Sequence, residues 1–103
     1  DGFLDGYDAG RQIYAVTSAI RSLQSEQNSN ESQIESLQSQ IIDKTNLMLA
    51  DETTIDDRYR LNQEISEMQQ NLGGLEQRNK QLIVELAEAQ ARLRVLNEKY
   101  AYF

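Results

Sequence analysis

Residues 58–103 read RYRLNQEISEMQQNLGGLEQRNKQLIVELAEAQARLRVLNEKYAYF, and their apolar spacing sets the architecture. Within it Ile65, Met68, Leu72, Leu75, Asn79, Leu82, Leu86, Ala89, Leu93, Leu96, Tyr100 and Phe103 follow one another at alternating spacings of three and four. That spacing is the seam of a coiled coil, with Ile65 at a and Met68 at d. Every seam position is apolar except Asn79, an amide at a, where polar residues fix register at a cost in stability.

N-terminal to this seam, a second run starts at Arg11. It places Ile13, Ile20, Gln27, Ile34, Ile41 and Met48 at a, and Val16, Leu23, Asn30, Leu37 and Lys44 at d. The outer face between Ser22 and Gln40 is rich in Ser, Gln and Asn, yet the heptads run straight through it, so it reads as a solvated helix face. Asp1–Gly10 (DGFLDGYDAG) carries three glycines and three aspartates and is expected to be a flexible lead-in. It is no calcium loop: Asp5 and Gly6 fit one, but Phe3 takes a ligand position and Gln12 stands where a bidentate Glu is required.

The two runs fall out of phase around Asp51–Asp57, which permits either a turn or a continuous helix overwound by a stammer near residues 51–58. Thr54 followed by Asp57, with acids in the first turn, has the chemistry of a helix start. Electrostatics points the same way. A parallel in-register dimer would set Lys44, Asp51 and Arg58 each against its own copy, three like-charge layers in a short stretch. An antiparallel hairpin instead admits a register in which Asn30 faces Asn79 and Asp51 faces Arg58, so the amides bond each other and the charges pair. The expected fold is therefore all-α: a long antiparallel helical hairpin with a lead-in over 1–10, helices over 11–50 and 55–103, and a turn at 51–54. The alternative is a continuous parallel dimer.

Ile42, Leu49, Ile83, Val84, Ala87 and Val95 are apolar but off the two-stranded seam, so an apolar face wider than a and d is expected. Two hairpins joining as a homodimeric four-helix bundle through Ile83, Val84 and Val95 satisfy that face. Gly73–Gly74 lies inside the second helix, away from the seam, and weakens it unless a bend or another helix uses it.

Composition narrows function. With 39% hydrophobic residues, no Trp and no Pro in 103 residues, a compact core is poorly supplied and long helices are favoured. Neither His nor Cys occurs, which removes the commonest general base, the commonest nucleophile and the usual zinc ligands. A net charge of −7 disfavours nucleic acid as a partner, and no run of about 18 apolar residues is present to insert in a membrane. The chain opens on Asp, as a processed piece would.

The expected function is that of a non-enzymatic structural module, a coiled-coil stalk or oligomerisation scaffold that spaces and docks protein partners and needs no cofactor. Its docking point is a tip at the turn, where Ile55 stands among Asp56 and Asp57. The alternative is a carboxylate-lined bundle binding a metal ion or acting as an enzyme. It would draw on Glu64, Glu67, Glu76, Glu85 and Glu88, which fall on or beyond the flanks of the seam.

Overall fold

In the computed structural model, residues 2–100 are described, with side chains from residue 6 onward. Two helices account for almost all of them, α1 (Gly2–Leu49) and α2 (Ile55–Lys99). They form an all-α helical hairpin. The helix breaks at residues 50–54, so the continuous overwound helix is not adopted.

The seam places the core. Every named position of both heptad runs from Ile13 to Tyr100 is buried or half-buried, Asn79, Gln27 and Lys44 included. Contacts divide the hairpin into a terminal unit, made by α1 up to Asn28 and α2 from Lys80, and a turn unit, Ser29–Asn79. In the terminal unit Val16, Ile20, Leu86 and Leu96 form a buried cluster, with Ile13, Leu23, Ala89, Leu93 and Tyr100 packed against it. Leu82 is fully buried in the same unit. In the turn unit Leu61 and Ile65 are the buried apolar residues, with Asn30 the buried polar one. Truncating a buried leucine of this kind to alanine typically costs about 2–5 kcal/mol.

α1 starts at Gly2, well before the expected Arg11, so residues 2–10 of the Gly- and Asp-rich opening are helix rather than lead-in. The reason lies in its spacing. Ala9 precedes Ile13 by four and is itself buried, which carries the seam one step further back. On the outer side Gln12 donates to the Asp8 carboxylate at 2.8 Å, and the Arg11 guanidinium lies 6.0 Å from the centre of the Tyr7 ring. Asp8 therefore acts within the helix. The expected end of the second helix, at residues 101–103, lies outside the described residues, as do the side chains of Phe3 and Leu4.

The turn closes without glycine or proline and without any non-glycine residue at positive φ. Four groups take over the carbonyls left at the end of α1. The Ala50 N–H and the Thr53 hydroxyl both donate to the Leu47 carbonyl, while the Thr53 N–H (3.1 Å) and the Arg58 guanidinium (3.1 Å) donate to the Ala50 carbonyl. The Arg58 bond also sets a cation at the negative end of the α1 dipole. Thr54 then caps α2: its hydroxyl accepts the Asp57 N–H at 3.2 Å, and its carbonyl accepts the Arg58 N–H at 2.9 Å. Such a cap is typically worth about 1 kcal/mol.

Candidate interaction surfaces

A two-helix hairpin buries one stripe of each helix and leaves the rest to solvent. The informative side chains are therefore the large apolar ones that the seam does not cover.

In the terminal unit these are Ile83, Val84 and Val95, between 53% and 56% exposed, together with Tyr7 and Tyr14 on α1. Ile83, Val84 and Val95 sit on the side of α2 away from the buried Leu82, Leu86 and Leu96, because about 100° of rotation per residue carries them out of the seam. Lys80, Gln81, Val84, Glu85 and Glu88 line an open groove of about 410 Å³ on this part of α2. Tyr14 was not among the expected surface residues. The signal for it was available, since it falls at b in the first heptad run.

In the turn unit Ile42, Leu47, Leu49, Ile55 and Tyr59 are the exposed large apolar residues, and Ile55 is the most exposed at 83%. Asp51, Glu52, Asp56 and Asp57 are exposed around it. Two of these acids sit in the first turn of α2, where the helix dipole favours negative charge, and Asp57 also accepts from Arg60 at 3.3 Å. Leu47 and Tyr59 lie outside both seams and were not among the expected surface residues.

The register residues behave less symmetrically than the sequence suggests. Asn30, 5% exposed, donates through Nδ2 to the backbone carbonyl of Leu75 at 2.9 Å and not to Asn79. Asn79 Oδ1 is buried with no hydrogen-bond partner. Arg58 spends its guanidinium on the Ala50 carbonyl, and no ion pair to Asp51 is found among the described residues.

An ion pair unforeseen from the seam lies nearby: Lys44 Nζ donates to Glu64 Oε2 at 2.9 Å, with both side chains about one-third exposed. The hydrogen bond from Lys44 holds the Glu64 carboxyl below its ordinary range. Partial desolvation works against this, and the charges of Lys44 and Arg60 work with it. Lys44 thus keeps its stem in the seam and its ammonium at the edge.

Gly73 and Gly74 have open space where a side chain would stand. Gly74 lines an open groove of about 600 Å³ together with Gln33, Leu37, Gln70 and Leu75, so the hairpin itself makes no close approach there. Among the described residues no three carboxylates converge as metal ligands would, and no helix is long and apolar enough to cross a membrane. No protein-family model matches the chain, and neither does any curated protein or solved structure.

Proposed function

We propose that the chain is a non-enzymatic interaction module, a helical hairpin that self-associates through the outer face of α2 and docks protein partners. The observation that carries this reading is the exposure of Ile83, Val84 and Val95, three β-branched residues on one short segment of a chain with few hydrophobic residues to spare. Left in water, each forfeits much of the roughly 1.5–3 kcal/mol that burial of such a side chain is worth, and a second molecule covering them recovers it. Sedimentation equilibrium tests the reading. The parent chain should be a dimer or larger, and Ile83→Gln with Val84→Gln should lower the mass while far-UV circular dichroism stays helical. A parent that sediments as a monomer throughout, or a variant of unchanged mass, refutes it.

The turn supplies a second docking point, favoured by one specific observation: Ile55 is the most exposed large apolar residue, and the acids Asp51, Glu52, Asp56 and Asp57 around it outnumber the bases Arg58 and Arg60. The partner suited to it is a basic protein surface with a small apolar contact. Acids at the rim steer encounter and make binding weaken as salt rises, since exposed charges are screened over about 10 Å at 0.1 M. Comparing the protein partners retained by the parent and by a variant carrying Ile55→Ser, Asp56→Ser and Asp57→Ser tests this. Identical partner sets at low and high salt sink it.

A further inference from the structure

The outer face of α2 carries a second heptad seam. Lys80, Val84, Ala87, Ala91, Arg94 and Glu98 follow one another at spacings of four, three, four, three and four. At about 100° per residue they lie within one outer arc of the helix, with Ile83 along one edge of it and Val95 along the other. All eight side chains are exposed, and neither Lys80 nor Glu98 takes part in an ion pair among the described residues.

We propose that this seam binds a second copy of the chain, α2 against α2, antiparallel, in the register that sets Ala87 against the partner's Ala91 and Lys80 against the partner's Glu98. The inference rests on the self-association proposed above and adds to it the face, the direction and the register.

Charge selects among the arrangements. A parallel pairing in register would bring Lys80, Arg94 and Glu98 each against its own copy. The antiparallel register replaces these with two Lys80–Glu98 pairs related by the two-fold axis. It also lays Val84 along the aliphatic stem of the partner's Arg94, and it brings Val95 beside the partner's Val84. At the centre the facing residues are alanines, which lets the helices approach closely. Sliding by one heptad sets Ala87 against the partner's Glu98 in one direction and Lys80 against the partner's Ala91 in the other. Each alternative sets Lys80 or Glu98 against an alanine methyl group, whereas the named register pairs these two charges with each other and leaves only Arg94 opposite an apolar residue, which its stem covers.

Two experiments read the register directly. The chain has no cysteine, so introduced thiols report without background. Equimolar Ala87→Cys and Ala91→Cys variants, mixed and oxidised, should cross-link to each other faster than either cross-links to itself, because each homotypic pair is offset along the axis by four residues, about 6 Å. Equal rates overturn the register. Separately, Lys80→Glu should raise the Kd of self-association about tenfold, as should Glu98→Lys, while the double variant returns it to near the parent value. A double variant whose loss is the product of the two single losses overturns the proposal while leaving self-association through Ile83 and Val84 intact. A parent that is monomeric at every concentration overturns both. Circular dichroism of each variant, all at exposed positions, verifies that the hairpin still folds.

Discussion

Replacing Asn79 by leucine should stabilise the hairpin. In the structure the Asn79 Oδ1 is a buried acceptor without a donor, whereas Asn30 is satisfied by the Leu75 carbonyl at 2.9 Å. An unpaired buried acceptor costs about 1–3 kcal/mol, and that cost leaves with the amide. Leucine also continues the apolar seam between Leu75 and Leu82, so Asn79→Leu is expected to gain about 1–2 kcal/mol. Asn30→Leu gives up one hydrogen bond of about 1 kcal/mol in exchange for apolar burial and should sit close to neutral. Since the two amides do not bond each other, the double variant should be additive to within about 0.5 kcal/mol.

Urea denaturation of the four proteins at one fixed concentration measures the cycle, the concentration being held because the proposed association would add to apparent stability. The opposite outcome is equally definite. If Asn79→Leu destabilises the protein and Asn30→Leu rescues it, the amides pair with each other in solution, as the heptad register by itself suggests, and the Leu75 carbonyl is not the acceptor.

Two further expectations follow from the same geometry. Gly73→Ala and Gly74→Ala should each stabilise by about 0.5–1 kcal/mol in thermal melts, since both positions are helical with open space for a methyl group; a loss would show that another helix packs on the glycines in the assembled protein. Because Lys44 lowers the pKa of Glu64 in the folded chain, the pair stabilises above the unfolded carboxyl pKa near 4.3, and that stabilisation is lost as pH falls through the lower folded value. Stability curves of the parent and of Glu64→Gln should therefore diverge at neutral pH and converge in acid, and parallel curves across the whole range would show that Glu64 does not titrate differently in the folded state.

The seam was legible in the sequence because burial in a hairpin depends on one periodicity, and the three-four spacing holds from Ile13 to Met48 and again, in a new phase, from Ile65 to Tyr100. What periodicity does not carry is axial offset. A heptad pattern says which residues face the other helix, but a backbone carbonyl one turn away competes with the facing side chain for the same donor. That is how Asn30 comes to bond Leu75 and to leave Asn79 alone. The end of α1 was legible to within one residue from the phase break and the Thr54 cap, although no stop signal stands at it. No glycine marks it, since Thr53 and Arg58, both C-terminal to the helix, satisfy its carbonyls. The helical opening was hidden behind its composition: glycines and aspartates signal a loop, and only Ala9, in step with Ile13, showed the seam continuing. Of the candidate surfaces, Ile83, Val84, Val95 and Ile55 were identifiable as apolar residues off the seam, whereas Leu47 and Tyr59 needed the backbone of the turn to be placed.

The distribution of charge bears on why one face should meet its own kind and the other a different protein. A chain of net charge −7 repels its copies, and association is least opposed where that excess is locally absent. Between Lys80 and Lys99 the bases Lys80, Arg92, Arg94 and Lys99 outnumber the acids Glu85, Glu88 and Glu98. At the turn the acids Asp51, Glu52, Asp56 and Asp57 outnumber the bases Arg58 and Arg60, which are held by the Ala50 carbonyl and by Asp57. Two turns brought together would oppose like charges at close range, while two outer faces of α2 would not. On the function proposed above, this charge distribution favours self-association at α2 over the turn and suits the turn to a basic partner. Rising salt then has opposite consequences at the two places: it relieves the overall repulsion between copies and weakens the attraction at the turn. Over a range in which tip binding falls, the apolar component of the α2 contact should persist, so sedimentation and partner binding measured against salt concentration should part company. If both weaken together with the same steepness, charge alone holds both contacts and Ile83, Val84 and Val95 contribute little to either.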